Sequence, residues 1–317
     1  MISPVRNIAR SASPQPSLNI LSFVYDGYFD SMLCNALPQH EFYGPINDGN
    51  HPAGWNLTLY PQPSNFHFIP SFQQSYINNR VDFDLILCHD RTTQFDIAQQ
   101  LAHISHINVI MIEHFVNVAS LDMMNMIPLL KKTKNTTNVF TADVLSDFKI
   151  PGQIIKYGVP DISTTNPKKK QVVAFNADPG VVENIKQHTS IPVVTYDINT
   201  LNQTQYVQIL QESQFYLNIE AEVNRLQADV LAAMSAGCVV ASVVSPAIKD
   251  LITHEKTGLL VNNLEELLTI WHNIDGLDTT TMGQNASKYI RDNYSCSVFS
   301  QKWQDVVSST VQKTYIR

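Results

Sequence analysis

The sequence predicts an α/β protein organised as two Rossmann-like domains, each around a doubly wound parallel sheet. Three observations lead there. At 317 residues the chain exceeds one comfortable hydrophobic core, and two domains of about 150 residues are the natural division. Short, continuously apolar runs alternate with helix-length segments, as parallel strands covered on both faces require. The alternation then breaks at a polar connector bearing Pro167 and three lysines, residues 164–170, and starts again.

Residues 18–25 (LNILSFVY) form a short β-favouring run closed by the turn pair Asp26-Gly27. A helix is expected over 28–36 and a second short run at 40–43. Residues 44–70, rich in Pro, Gly, Asn and His, are the least regular stretch and read as a surface excursion. Order returns with apolar runs at 83–88 (FDLILC) and 107–112 (INVIMI), separated by a helix over 94–103. A helix from about 120 to 132 and a strand at 138–141 complete the first half. In the second half, strands are expected at 171–175, 192–196, 215–219 and 238–242. Helix-length segments at 180–188, 203–212, 226–236 and 263–273 lie between or after them. Two helices, 282–294 and 299–313, close the chain. The expected division is a flexible leader (1–17), an N-terminal domain (18–150), a C-terminal domain (151–295) and a terminal helix (296–317).

Composition narrows the function classes. The 44% hydrophobic and 9% aromatic content is that of a globular protein. A net charge of −7 argues against the broad basic surface of a dedicated nucleic-acid binder. Cys34, Cys88, Cys238 and Cys296 lie far apart without C-x-x-C spacing, so they read as small core hydrophobes in a reducing compartment. No apolar run approaches the ~20 residues of a membrane span. The first 17 residues lack an apolar signal core, and a cytoplasmic location is expected.

Ligands of open α/β sheets bind beyond the carboxyl ends of the strands, so the residues there are the candidates. Gly27, after the first strand, either lets a ligand approach the backbone or makes a plain turn. Neither G-x-G-x-x-G nor a P-loop is present. His89-Asp90-Arg91 follows the strand at 83–88, and Glu113-His114 follows that at 107–112. These are candidate cleft residues, structural or functional. A Ser-His-Asp hydrolase is excluded by the missing G-x-S-x-G elbow. A metal site would require His89, Asp90 and His114 to converge, and none is expected. The richest segment is 220–260. A polar loop carrying Glu220, Glu222 and Asn224 precedes a helix with apolar positions Leu226, Val230, Leu231 and Met234, which Gly237 ends. Arg225 at that helix start either holds a phosphate or is solvated.

This segment resembles the group-1 retaining nucleotide-sugar glycosyltransferases of the GT-B fold. Their loop, E-A-M-x-x-G helix, V-V-A-S strand, short helix and T-G-L-L-V run appear here in register. They are Ala232-Ala233-Met234-Ser235-Ala236-Gly237, Val239-Val240-Ala241-Ser242, Lys249-Asp250-Leu251-Ile252 and Thr257-Gly258-Leu259-Leu260-Val261. Tyr157-Gly158-Val159-Pro160-Asp161 is similar to the segment opening the family's second domain. Ile112-Glu113-His114 is similar to a strand ending in a donor-contacting His. The end of the chain, with Phe299 and Trp303, is similar to the helix that crosses back to the N-terminal domain. The family's Glu-x7-Glu positions are Asn224 and Ala232 in this chain, and its diphosphate Arg and Lys are replaced by Asn176-Ala177-Asp178-Pro179-Gly180.

The resemblance implies metal-independent transfer, with retention, from a UDP- or GDP-linked sugar, and no further cofactor. Asn224 would orient the sugar, His114 contact it, and Arg225 hold phosphate, with Asp229, Glu220 or Glu222 standing in for the ribose ligand. Lys168–Lys170 are an alternative source of charge for the diphosphate. Gly27 would admit the donor from the N-terminal side of a closing interdomain cleft. The acceptor stays open among a glycan, a protein, a small molecule and a modified nucleic-acid base. Two other readings remain: a sugar-nucleotide epimerase, and a non-catalytic glycosyltransferase-like binding protein.

Overall fold

The structure is a computed structural model. It describes residues 17–46, 55–70, 81–89, 94–114, 135–141, 151–219, 228–245 and 248–315. Among them, residues up to Lys156 together with those from Phe299 onward form one compact unit, and Tyr157–Val298 form the other. The helix expected near 120–132 lies outside the described residues.

The first unit holds a seven-stranded, all-parallel sheet in the order β3-β2-β1-β4-β5-β6-β7. Its strands are β1 (Asn19–Ser22), β2 (Glu41–Ile46), β3 (Phe66–Pro70), β4 (Leu85–His89), β5 (Asn108–Glu113), β6 (Thr136–Phe140) and β7 (Gln153–Ile154). Every residue of β4 and β5 is buried, which is why both read as unbroken apolar runs. Among the described residues two helices follow strands: α1 (Gly27–Ala36) after β1 and α2 (Phe95–Ser105) after β4. Asp26 caps α1, its carboxylate accepting the Phe29 N–H at 2.7 Å. Leu21, Phe23, Ile86, Cys88, Val109 and Met111 pack against Ala98 and Ala102 of α2.

One expectation is corrected here. Residues 44–70 do not merely wander: they return as β3, paired in register with β2 from Phe42↔Phe66 to Ile46↔Pro70. Trp55 and Leu59 are buried as well, so the connection carries apolar anchors of its own.

The second unit has a five-stranded parallel sheet ordered β12-β11-β10-β8-β9. The strands are β8 (Lys169–Phe175), β9 (Val193–Tyr196), β10 (Ser213–Asn218), β11 (Val239–Val243) and β12 (Gly258–Val261). Its helices are α3 (Pro179–His188), α4 (Gln203–Glu212), α5 (Ala228–Ser235), α6 (Leu264–His272) and α7 (Thr279–Tyr294). Helix α3 packs against α6, and α5 against α7. Gly237, at φ +79°, closes α5 as expected: its N–H bonds Met234 O at 3.0 Å while Cys238 N–H bonds Ala233 O at 2.9 Å. That pair of bonds is the Schellman motif, and the left-handed residue in it favours glycine.

The last helix, α8 (Cys296–Tyr315), returns its residues from Phe299 onward to the first unit. Trp303, Val306 and Val307 are buried there. Asn108 Nδ2 donates to Thr310 O at 2.6 Å and Ser300 Oγ to Ala36 O at 2.7 Å. No helix among the described residues is long and apolar enough to cross a membrane.

Candidate functional site

In the second unit, β9 lies on one side of β8 and β10 on the other, so the winding direction reverses between β8 and β10. Such a reversal leaves a crevice beyond the carboxyl ends of the two strands. A cavity of about 360 Å³ is found there, walled by Phe175, Asn176, Asp178, Tyr216, Asn218 and Asp229 among others.

Asp229 stands in the first turn of α5, where the helix dipole favours a carboxylate. One of its oxygens accepts the Val230 N–H at 3.0 Å and the other accepts the Tyr216 hydroxyl. Burial raises the Asp229 carboxyl above the usual range, against the opposing hydrogen bonds of Tyr216 and the backbone. Asn218 Nδ2 donates to Ser242 Oγ at 3.0 Å. Asp178 caps α3, one oxygen accepting Gly180 N–H at 2.9 Å and Val181 N–H at 3.0 Å. That helix start is therefore answered by the chain's own carboxylate rather than left open to an anion.

No Lys, Arg or His lies among the described residues of this wall. The lysines at 168–170 do not supply the charge. They stand at the opposite end of β8, which is seven residues and so about 20 Å long. Lys168 Nζ donates to the Leu210, Gln211 and Ser213 carbonyls at the end of α4, Lys169 pairs with Glu212, and Lys170 with Asp275. Glu220, Glu222, Asn224 and Arg225 lie outside the described residues. Ile219, just before their segment, and Asp229, two residues after it, both line the cavity.

The first unit reverses its winding between β1 and β4, and a buried polar cluster sits at that point. Asp30 of α1 is 1% exposed, His89 2% and His114 0%. One oxygen of Asp30 accepts the Tyr25 and Asp26 N–H groups at 2.8 and 3.0 Å; the other lies 3.8 Å from His89 Nε2. His89 Nδ1 meets His114 Nε2 at 2.8 Å. The Tyr25 ring stacks on His114 at 3.7 Å and 4°, and Phe29 stands edge-on to both imidazoles. Glu113 is also fully buried. Gly27 is approached by the protein itself: an added Cβ would come within 2.6 Å of the Trp55 indole. Asp90 and Arg91 lie outside the described residues. Among the described residues no group of three or more His, Cys, Asp or Glu side chains could hold a metal ion.

Burial raises the Asp30 carboxyl well above its ordinary range, reinforced by the charge of Asp26. Burial pushes His89 down to about 3, and His40, under the same cause, down to about 4. These two histidines stay neutral in the folded chain but take up protons near pH 6.5 when it unfolds. Each therefore costs stability as pH falls from about 6.5 toward 4, by up to about 1.4 kcal/mol per pH unit. The Asp30 carboxyl, raised by burial in the folded chain and ionised in the unfolded one, opposes them over the same window. Urea unfolding at pH 6.5, 5.5 and 4.5 is expected to show a smaller loss on acidification in His89→Gln than in the wild type. An unchanged slope in the variant would assign the acid sensitivity elsewhere.

Sequence reasoning reached His89, His114 and Asp229 but missed Asp30, Tyr25, Tyr216 and Asn218. One of its available signals was the Asp178-Pro179 pair, a helix-start signature that foretells the capped α3.

The two parallel sheets and their helices give an α/β protein of the GT-B fold. No family model matches the sequence, and neither does any curated protein. Solved structures do. HepE of Anabaena, in complex with UDP-glucose, shares 13% identity over 92% of this chain and 100% of its own, at TM-score 0.65. Sucrose-phosphate synthase from Thermosynechococcus elongatus shares 12% over 92% and 98%, at 0.65. A glycosyltransferase from Rickettsia africae shares 12% over 93% and 99%, also at 0.65. This chain has their fold.

Proposed function

We propose that this chain is a glycosyltransferase that moves a sugar from a nucleoside-diphosphate donor, with retention and without a metal, in the cytoplasm. The observation that carries the reading is the cavity at the β8–β10 reversal. It is lined by Ile219 and Asp229, close to either end of the 220–227 segment, and has the Tyr216–Asp229 pair in its wall. Similar structures are glycosyltransferases, and HepE carries UDP-glucose. In this reading the nucleoside enters the cavity with Asp229 toward the ribose, and Glu220 or Glu222 beside it. Arg225 and the N–H groups opening α5 answer the diphosphate, a charge that no described wall residue balances. Asn224 orients the sugar as the acceptor attacks from the face the nucleotide leaves, and stabilisation of the leaving diphosphate supplies the rate. His114 reaches the sugar only when the Tyr25 ring stacked on it swings aside.

The lack of cations in the described wall favours a second reading, a glycosyltransferase-like protein that binds without transferring. One experiment separates them. A ligand at a hundred times its dissociation constant adds about 2.7 kcal/mol, raising the melting point by roughly 4 °C for a protein of this size. UDP-glucose or a GDP-sugar is expected to do so, and Asn224→Ala to abolish transfer while keeping the shift. No shift with UDP-, GDP- or ADP-sugars would leave the binding reading standing.

A further inference from the structure

We propose that Asp30, His89 and His114 form a buried proton relay that fixes His114 as the tautomer carrying its hydrogen on Nδ1. The geometry allows few alternatives. At 2.8 Å, His89 Nδ1 and His114 Nε2 share one hydrogen between them. The next nitrogen along, His89 Nε2, and the outer oxygen of Asp30 are both buried without a hydrogen-bond partner among the described residues. They face each other at 3.8 Å, longer than a hydrogen bond, and a shift of about 1 Å joins them. Two orphaned polar atoms so placed are one another's remaining partner.

The direction of the line follows from which end holds the proton. The inner oxygen of Asp30 already accepts two backbone N–H groups, so a proton on the carboxyl sits on the outer oxygen, aimed at His89 Nε2. That nitrogen accepts, and neutral His89 carries its hydrogen on Nδ1 and donates to His114 Nε2. His114 is left with its hydrogen on Nδ1. The surroundings favour the protonated carboxyl: burial disfavours its charge and Asp26 on the same turn is an acid, against the two backbone N–H groups that favour the carboxylate. Cys34 of α1 and Cys88 beside His89 are buried thiols, and Glu113 adds another carboxyl next to His114. Tyr25, Phe29 and Trp303 cover the line with aromatic rings that bring no cation.

Used as a relay, the line balances. His114 gives its Nδ1 proton to the oxygen of a bound oxyanion, its Nε2 takes the hydrogen of His89 Nδ1, and His89 Nε2 takes that of Asp30. Asp30 ends as a carboxylate and both imidazoles end neutral with hydrogen on Nε2. In the resting state the hydrogen of His114 thus stands on Nδ1. Its use toward a sugar hydroxyl rests on the proposed transferase reading; the relay itself does not.

The test is made on the free protein, so it stands or falls without any nucleotide. Long-range proton–nitrogen spectra of the chain labelled at histidine nitrogens, assigned by the signals lost in His89→Gln and His114→Gln, report each tautomer. At pH 7 both rings are expected to carry hydrogen on Nδ1 with Nε2 bare. Asp30→Asn, whose amide donates to His89 Nε2, keeps that pattern, while Asp30→Leu loses the fixed tautomer of both rings. Hydrogen on Nε2 of either ring at pH 7, or an unchanged pattern in Asp30→Leu, overturns the relay. If Asp30→Leu does not fold, the wild-type and Asp30→Asn spectra decide alone.

Discussion

Trp303→Ala is expected to destabilise the first unit by about 3–5 kcal/mol, the range for emptying a fully buried large aromatic site. Trp303 is 0% exposed, and its indole N–H has no acceptor among the described residues, so its contribution is packing. It stands 6.2 Å from the Phe29 ring and 6.1 Å from Phe299. Collapse into the gap is limited, because α8 is tied on both sides of the site by the Ser300–Ala36 and Asn108–Thr310 bonds. A site that cannot collapse sits at the costly end of the range. Urea unfolding should show the loss in one transition, while Val298→Ser, at a 41% exposed position, stays within about 0.5 kcal/mol. A loss below 1 kcal/mol for Trp303→Ala would mean that α8 adds little to that core. Phe29 touches both Trp303 and the two imidazoles, so the same variant should loosen the histidine cluster as well.

The parallel sheets were legible because a strand buried on both faces has nowhere to place a polar residue. LILC in β4 and NVIMI in β5 declare themselves for that reason. Gly237 declared the end of α5 because its left-handed backbone is cheap only for glycine. β3 was hidden. FHFIP is short, ends in proline and sits among turn-forming residues. What makes it a strand is its pairing with β2, a contact more than twenty residues away in sequence. Local pattern cannot register a partner at that distance.

The sites divide in the same way. Looking just past strand ends found His89 and His114, because the chain itself places them there. It could not find Asp30, which in sequence is an ordinary acid in the first turn of a helix, a position that usually faces water. Only the burial of α1, with Asp30 set beside His89 at the end of β4, turns it into a partnerless oxygen beside an imidazole. Tyr216 and Asn218 were read as parts of a buried strand, which they are. Being the last residues of that strand at a winding reversal gives them a second role, one that depends on strand order. Strand order is decided by connections, not by composition.

Gly283→Ala tests whether packing behind the cavity controls the cavity. In an exposed helix this change would stabilise by about 1 kcal/mol, because alanine is the better helix former. Here the sign reverses. A Cβ on Gly283 would lie 2.4 Å from the carbonyl oxygen of Gly237 and 3.3 Å from its carbon. Both atoms are backbone, so no side chain can rotate away. Overpacking costs typically 1–3 kcal/mol and occasionally more, which outweighs the propensity gain and predicts a net loss of about 1–2 kcal/mol. Gly276→Ala, with nothing within 4 Å of the added carbon, is the matched control and should stay within about 0.5 kcal/mol. The strain has a direction. Gly237 closes α5, and α5 carries Asp229 at its other end, about 12 Å away for eight residues. Relief by moving α5 off α7 shifts Asp229 against Tyr216 and reshapes the cavity wall. Gly283→Ala should therefore weaken nucleotide-sugar stabilisation beyond what its lower melting point explains, whereas Gly276→Ala should leave it intact. Equal ligand shifts in the two variants would mean that the strain is absorbed by α7 and never reaches the wall.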